Sequence, residues 1–395
     1  MFIDRAVAPP LRKAIKTFPS ILITGCRQAG KTTLLQHVVP EYHFTTLDSF
    51  SDLEQIKEDA ALFFENHPPP LIVDEIQYAP EILRHIKLLI DKDRKKMGQF
   101  LLTGSQIFPL MKGVSESLAG RIAIFEIYPL SWQEITSKSP DYSELIERMC
   151  SGFFPEIVTT NVDASRWIDS YLMTYINRDV RLIRPAIQIA NFQRFIKLLA
   201  ARSGQLLNIS EISKEMGLTQ PTIKEWLEIL EATYVIYLLR PYYSNRTKRF
   251  IKSPKIYFVD VGLLTYLLGI RTSEQLVNSP FIGHIFENMV IIEALKRISL
   301  LAPRPELYFY RSIGGVEVDL VIDWGIYRDL YEIKWTKEPG SQHIESLKQV
   351  AKDLKPRKAT LVSLNKHSTK MTDSIRAENW YHIADDSEAI NPACK

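Results

Sequence analysis

Short apolar runs alternate with amphipathic stretches through the first 130 residues. The runs are Ser20 to Thr24, Tyr42 to Leu47, Leu71 to Val73, Phe100 to Thr103 and Ile122 to Ile127. Buried strands separated by helical segments predict a parallel sheet, so the fold class is α/β. From about Pro129 to Leu239 the pattern turns helical and rich in aromatics, among them Trp132, Tyr142, Trp167, Tyr171 and Tyr175. Strands return after Lys255, interrupted by a long helix near His284 to Ile298 and a later one near Ile344 to Leu354. The expected organisation is a parallel-sheet domain over 1–130, a helical region over 131–260 and an α+β domain over 261–395. The tail after about Lys366 reads as weakly structured, and no internal repeat is visible.

Composition sharpens this picture. A chain of 395 residues that is 46% hydrophobic can bury two or three separate cores. No apolar run approaches the roughly 20 residues of a membrane span, and Met1 to Ser20 carries charges where a secretory signal would be apolar. A cytoplasmic protein with no membrane partner is expected. The cysteines Cys26, Cys150 and Cys394 are too scattered for a disulfide framework or a structural zinc site. With 49 basic and 46 acidic residues the net charge is +3, so any basic surface must be local.

Gly25-Cys26-Arg27-Gln28-Ala29-Gly30-Lys31-Thr32, followed by Thr33, satisfies G-x-x-x-x-G-K-[ST] between an apolar strand and a helical segment. Backbone N–H groups of such a loop curl around a nucleotide's phosphates. Lys31 supplies charge to the β and γ groups, and the helix start adds its positive dipole end. Thr32 is the expected magnesium ligand. The buried strand Leu71-Ile72-Val73-Asp74-Glu75 offers Asp74 for the magnesium shell and Glu75 to orient or activate water. A third strand ends Leu101-Leu102-Thr103-Gly104-Ser105, where either Thr103 or Ser105 could sense the γ-phosphate. Arg121 has two readings: a cation reaching a phosphate, on this or a neighbouring subunit, or a surface arginine beside a strand. ATP with magnesium is the expected cofactor, with Lys31 and Glu75 as the catalytic pair.

Ile209 to Leu227 reads as a helix, a turn at Gly217 and a second helix capped by Thr219 with Pro221 in its first turn, the helix-turn-helix pattern. An apolar strand, Val235 to Leu239, and another near Lys255 to Asp260 resemble the wing of a winged helix spanning about 190–260. Between them lie Arg240, Arg246, Lys248, Arg249, Lys252 and Lys255, with no acidic residue and with Tyr242, Tyr243 and Phe250 interleaved. Such a hairpin suits backbone phosphates, and Arg246, Lys248, Arg249 and Lys252 are the expected nucleic-acid contacts. Glu225, Glu228 and Glu231 on the second helix oppose close base reading.

Val316 to Trp335 reads as a β-hairpin. With Gly325-Ile326 as a two-residue turn, Asp319 lies opposite Glu332 and Glu317 opposite Lys334. Period two then puts Glu317, Asp319, Glu332 and Lys334 on one face and Val318, Leu320, Ile322, Tyr331, Ile333 and Trp335 on the other. Two carboxylates about 5 Å apart repel by roughly 3 kcal/mol at an effective dielectric of about 20, and a divalent cation is the natural occupant between them. Asp319, Glu332 and Lys334 then make a catalytic set in which the acids hold magnesium or manganese and the lysine positions water near a phosphodiester. Glu287 is a candidate further ligand. The plainer alternative is a lysine paired with acids on a solvated sheet face.

These motifs, with Val73-Asp74-Glu75-Ile76-Gln77, Leu102-Thr103-Gly104-Ser105 and Leu118-Ala119-Gly120-Arg121 in order, resemble the prokaryotic AAA-type ATPases that carry a C-terminal domain of unknown function. The likeness continues through Tyr175-Ile176-Asn177-Arg178-Asp179-Val180, Lys252-Ser253-Pro254-Lys255-Ile256-Tyr257 and Gly283-His284-Ile285-Phe286-Glu287-Asn288. The terminal part, with Glu287, Asp319 and Glu332-Ile333-Lys334, is similar to the PD-(D/E)XK nuclease fold. That resemblance implies a P-loop NTPase domain, metal-bound Glu287, Asp319 and Glu332, and nucleic acid, DNA above all, as partner. The chain departs from the wider group in carrying Thr or Ser where an asparagine sensor is usual. The expected function is ATP hydrolysis coupled to DNA binding and metal-dependent cleavage, with a homo-oligomer in view. Its rivals are an ATP-driven switch with a non-cleaving C-terminal domain and a regulatory ATPase acting on proteins.

Overall fold

The computed structural model describes residues 2–104, 117–185, 187–242, 253–312 and 314–385. They form two compact units, the first drawn from 1–130, 154–159 and 232–235 and the second from 131–153, 160–231 and 236–395. No helix among the described residues is long and apolar enough to cross a membrane.

In the first unit the apolar runs become β1 (Ser20–Gly25), β2 (His43–Thr46), β3 (Leu71–Asp74), β4 (Phe100–Thr103) and β5 (Ile122–Ile127). They pair in parallel in the order β2-β3-β4-β1-β5. Every residue of β1, β3 and β4 is buried, which is why they read as continuous apolar runs rather than alternating ones. Its described helices include α1 (Ala8–Ile15), α2 (Lys31–Val38), α3 (Phe50–Asn66) and α4 (Ile82–Lys92). In α4, Ile82, Ile86 and Ile90 recur at four-residue spacing and with Leu83 form one buried stripe. That stripe joins Leu22, Leu71, Val73, Phe100 and Leu102 of the sheet and Phe63 of α3 in one core. Each such side chain contributes roughly 1.5–3 kcal/mol by leaving water. Because β4 lies between β1 and β3, the segments that follow these three strands emerge side by side at one edge of the sheet.

The second unit holds an eight-stranded sheet among its described residues. Its strands are β6 (Ile236–Pro241), β7 (Lys255–Phe258), β8 (Glu306–Arg311), β9 (Glu317–Asp323), β10 (Arg328–Ile333), β11 (Lys358–Ser363), β12 (Thr369–Lys370) and β13 (Ile375–Asn379). Their order is β12-β13-β11-β10-β9-β8-β6-β7. The helix Ile282–Ile298 precedes an antiparallel meander β8-β9-β10, and the helix Glu345–Leu354 leads into β11, parallel to β10.

The helix-turn-helix stretch forms the helices Ile209–Met216 and Gln220–Ala232. Gly217 between them takes the left-handed φ of +66°, and the Thr219 hydroxyl accepts from Thr222 N–H at 3.3 Å as an N-cap.

Two expectations change here. The strands read as a wing are not confined to a hairpin: β6 pairs with β7 but also with β8, so both extend the C-terminal sheet and the boundary drawn at 260 falls inside the second unit. Within the described residues after Lys366, β13 docks parallel to β11 with Ile375 and Ala377 fully buried and Trp380 closing the end, so this stretch is part of the fold.

Candidate functional site

The stretch Gly25 to Thr33 joins β1 to the first turn of α2. Gly25 has φ +133°, and a Cβ there would lie 2.0 Å from the Ile127 carbonyl oxygen, so the loop can leave the sheet only with glycine. Gln28 and Gly30 take left-handed φ values of +63° and +86°. Cys26 and Ala29 are buried, Arg27 and Gly30 half-buried, and Gln28 and Thr33 exposed. Lys31, 8% exposed, folds over the loop and donates to the carbonyls of Cys26 at 2.9 Å and Gly25 at 3.3 Å. An ammonium held at the mouth of the loop by weak neutral acceptors is placed to exchange them for phosphate oxygens.

The Thr32 hydroxyl donates to Asp74 Oδ1 at 2.8 Å, and the Thr103 hydroxyl donates to the same oxygen. Thr103 also accepts from Glu75 N–H at 3.2 Å, so it ties the two acids of β3 together. A hydroxyl and a carboxylate converging this way fit magnesium, which Thr32 and Asp74 would hold and which would neutralise charge on the β and γ phosphates. Glu75 itself sits at a left-handed φ of +58°, and Gln77 donates to its carboxylate. Burial above all, with Asp74 and Asp48 adding to it against Gln77 and Lys31, raises the Glu75 pKa and strengthens it as a proton acceptor for water.

Of the two sensor candidates Thr103 lies between Asp74 and Glu75, while Ser105 lies outside the described residues. Arg121 does not reach the phosphate loop of its own chain. It precedes β5 at the edge where Ile122 pairs with Ser20, whereas the loop leaves beyond Gly25, on the order of 15 Å of strand away. Its guanidinium grips Asp91 at 2.9 and 3.1 Å.

A second cluster forms in the other unit. The β9–β10 hairpin pairs Asp323 with Arg328 and Leu320 with Tyr331. This is the register that a positive φ of +86° at Gly325 allows, with Gly325-Ile326 as the turn. The next step along the ladder faces Asp319 with Glu332. Lys334 Nζ lies 2.7 Å from Glu332 Oε1 and 3.6 Å from Asp319 Oδ2, and Ile333 N–H donates to Asp319 Oδ2 at 2.9 Å. Glu332 Oε2 is buried without a hydrogen-bond partner. Burial first, then Asp319, outweigh Lys334 and push the Glu332 pKa up to about 8. For Lys334, burial pulls the pKa down, but Asp319 and Glu332 more than offset it and raise it.

The occupant between the other acids is a lysine that the sequence reading assigned to a basic hairpin. Lys255, 3% exposed on β7, places Nζ 2.6 Å from Glu317 Oε1, 3.3 Å from Glu287 Oε1 and 3.6 Å from Asp319 Oδ1. Tyr257, fully buried, donates its hydroxyl to Glu287 Oε1 at 2.7 Å. Burial works against the Lys255 ammonium, yet its pKa stands well above that of an ordinary lysine because Tyr257 and the carboxylates Glu287, Asp319 and Glu317 outweigh it. Tyr257 is itself pushed well up by burial and stays a neutral phenol, so the carboxylates carry the effect. Glu287, expected as a metal ligand, is thus turned to Lys255 and Tyr257. Among the described residues no three acidic, histidine or cysteine side chains are grouped to hold a metal ion.

Lys255, read as one of the six cations of the basic stretch, turns its ammonium inward because its strand runs into the sheet. Arg240 lies 3.8 Å from Glu231, and Arg246, Lys248, Arg249 and Lys252 fall outside the described residues. The spacing of Lys255 and Tyr257, two apart on a strand, was the available signal that both face one side.

Residues 17–136 match an AAA domain, residues 142–274 a domain of unknown function (DUF8612) and residues 282–381 another domain of unknown function (DUF4143). The uncharacterized protein Rv2008c of Mycobacterium tuberculosis and the uncharacterized protein Mb2031c of Mycobacterium bovis are each 31% identical over 381 residues, 95% of this chain and 84% of the relative. The uncharacterized protein MJ1544 of Methanocaldococcus jannaschii is 26% identical across 86% of this chain and 81% of its own. Among solved structures, the Walker-type ATPase PABY2304 of Pyrococcus abyssi overlaps 67% of this chain and 96% of its own, at 15% identity and a TM-score of 0.48. With its AAA-type P-loop ATPase domain, this chain belongs to the family of the mycobacterial proteins Rv2008c and Mb2031c.

Proposed function

We propose that the protein couples ATP hydrolysis in its first unit to metal-dependent cleavage of nucleic acid, DNA in the first place, by its second. The observation that carries this reading is the unpartnered Glu332 Oε2 beside Asp319 and Lys334. A buried carboxylate oxygen without a partner costs about 1–3 kcal/mol or more, and a bound ion or a catalytic role is among the reasons native proteins keep such a group. Hard carboxylate oxygens from neighbouring strands suit magnesium or manganese, for which Asp319 and Glu332 would be the protein's ligands, and the ion would stabilise charge on a scissile phosphate. Lys334, 38% exposed at its side chain, is placed to hold a phosphate oxygen or the attacking water. The order helix, three-strand meander, helix, parallel strand supports a PD-(D/E)XK-like reading of this core. The helix-turn-helix and the basic stretch with Arg246, Lys248, Arg249 and Lys252 would contact the backbone, with binding that weakens as salt rises. Arg121 would meet a phosphate only across a subunit boundary.

One observation favours a second reading. The Lys255 ammonium already balances Glu287, Glu317 and Asp319, as a cation would. In that case ATP drives a change of state and the second unit binds without cutting. The deciding experiment incubates linear, branched and single-stranded DNA and RNA with the protein and manganese, with and without ATP. Cleavage by the wild type that disappears in Asp319→Asn and Glu332→Gln, while ATP turnover stays within twofold, supports the first reading. Binding with no cleavage by the wild type supports the second, and undiminished cutting by Asp319→Asn rejects the site.

A further inference from the structure

The phosphate loop has an anchor outside its motif. Arg5, ahead of α1, is 8% exposed, and its guanidinium donates from Nη1 to the Ala29 carbonyl and from Nη2 to the Tyr128 carbonyl, each at 2.7 Å. Ala29 stands between two residues with left-handed φ, Gln28 and Gly30, at the turn where the loop runs into α2. A loop whose amides converge on an anion must send carbonyls the other way, and each outward carbonyl that is buried needs a donor. For Ala29, fully buried, Arg5 is such a donor, and the bond is charge-assisted.

The other end of the clamp is firm. The Tyr128 ring packs edge-on against Tyr234 at 5.8 Å, its hydroxyl donates to Glu126 Oε2 at 3.1 Å, and Tyr234 donates to Glu126 Oε1 at 3.2 Å. Arg5 therefore spans from a braced strand end to the most sharply turned part of the loop.

We propose that Arg5 is a positioning residue for ATP: by holding the Ala29 carbonyl outward it keeps the loop's N–H groups facing the phosphates before nucleotide arrives. The proposal rests on reading the first unit as an ATP site. It predicts an effect on affinity rather than on the chemical step, because Arg5 grips the loop from behind and the loop binds the ground state and the transition state alike.

The test measures ATP and ADP binding by calorimetry, and KM and kcat for phosphate release, on the full chain as wild type, Arg5→Lys and Arg5→Met. Arg5→Met should weaken both nucleotides about tenfold, raise KM in step and leave kcat at saturating ATP within about threefold. Arg5→Lys keeps the charge and should recover part of the loss. A general loss of structure would instead lower the thermal midpoint and the active fraction without moving KM. Should Arg5→Met fail to fold, Arg5→Gln, which keeps one donor, takes its place with the same expected shift. Wild-type affinity in the folded variant, a fall in kcat with KM unchanged, or Arg5→Lys no better than Arg5→Met would overturn the role of Arg5. Absence of ATP binding by the wild type would overturn the ATP site along with it.

Discussion

The phosphate loop and the acidic cluster both manage charge inside a protein, and they are built on different plans. The loop is one continuous stretch, Gly25 to Thr33, whose working groups are mostly backbone N–H, with Lys31 and Thr32 added at the end. The cluster gathers Lys255, Glu287, Glu317, Asp319, Glu332 and Lys334 from a strand beside the helix-turn-helix, a long helix and both arms of a hairpin. The first plan is demanding in shape: at Gly25 a single added carbon meets the Ile127 carbonyl at 2.0 Å. The second is demanding in balance, since four carboxylates face two ammonium groups and, at Glu317, the Arg311 guanidinium; burial first, and the neighbouring Asp319 after it, raise the pKa of Glu332 and of Glu287. A backbone site should therefore fail in function when a side chain is removed while its fold survives. A charge-balanced site should fail in stability first.

The largest effect on this contrast is expected from Lys31→Ala. Lys31 donates to the buried loop carbonyls of Cys26 and Gly25, outside the unit's apolar core, so its loss should leave the far-ultraviolet dichroism near wild type and lower the thermal midpoint only slightly. ATP turnover should fall on the order of a thousandfold, as when a preorganised group facing developing charge is deleted. Turnover retained within tenfold would show that the ammonium is not working on the phosphates and would remove the basis of the comparison.

The two plans also explain what could be read from the sequence. All five described strands of the first unit and the whole phosphate motif are visible there: β1, β3 and β4, buried throughout, are unbroken apolar runs, β2 and β5 stand out as short apolar runs between helical stretches, and the loop's chemistry is contiguous. The hairpin register was also legible, since Gly325-Ile326 fixes the turn and alternation then places Asp319 against Glu332. What period and spacing could not show is where a distant cation lands. Lys255 sits at the end of a run of basic residues and looks like part of it, until β6 is seen to pair with β8 and to carry β7 into the sheet. Arg5 is hidden for the same reason: a lone arginine before a helix carries no pattern, and only tertiary folding brings it to Ala29 and Tyr128. The order of β13 was missed because Ile375 and Ala377 are a short alternation amid polar residues, and their burial depends on β11 being there to pair with.

Lys255→Met comes next in size and tests the balance directly. Removing the ammonium leaves Glu287 and Asp319 facing each other in a buried site, with Glu317 retaining only Arg311, and breaking such a buried pairing typically costs about 3 kcal/mol. All six tryptophans lie in the second unit, so their fluorescence during urea unfolding reports that unit alone. The variant should lose about that amount in EDTA and regain part of it in millimolar manganese, which would stand in for the lost cation, while ATP turnover is unchanged. A variant as stable as wild type in EDTA would mean that the carboxylates do not depend on Lys255.

The effect that is smallest over any one pH unit is a slope of stability with pH, and it separates Glu332 from the rest of the cluster. An unfolded glutamate titrates at about 4.5, whereas Glu332 in the fold is pushed up to about 8 by burial and by Asp319, with Lys334 opposing and Glu287 adding a little. Between these two values the folded protein keeps a proton that the unfolded chain has released. Stability therefore falls as pH rises, by about 1 kcal/mol per unit, from full strength below pH 4.5 until the contribution is lost above pH 8. Glu287, raised by burial in the same direction, shares in the slope, and the raised Lys334 titrates above the window. Glu332→Gln, measured in EDTA by tryptophan fluorescence, should flatten the line by about the Glu332 share and be more stable than wild type at pH 8. Manganese added to the wild type should flatten it as well, because an ion that partners Oε2 removes the reason for holding the proton. If the mutation flattens the slope and the ion does not, the carboxyl is buried for its own sake, and Lys334 with Asp319 is a closed ion pair rather than half of a metal site.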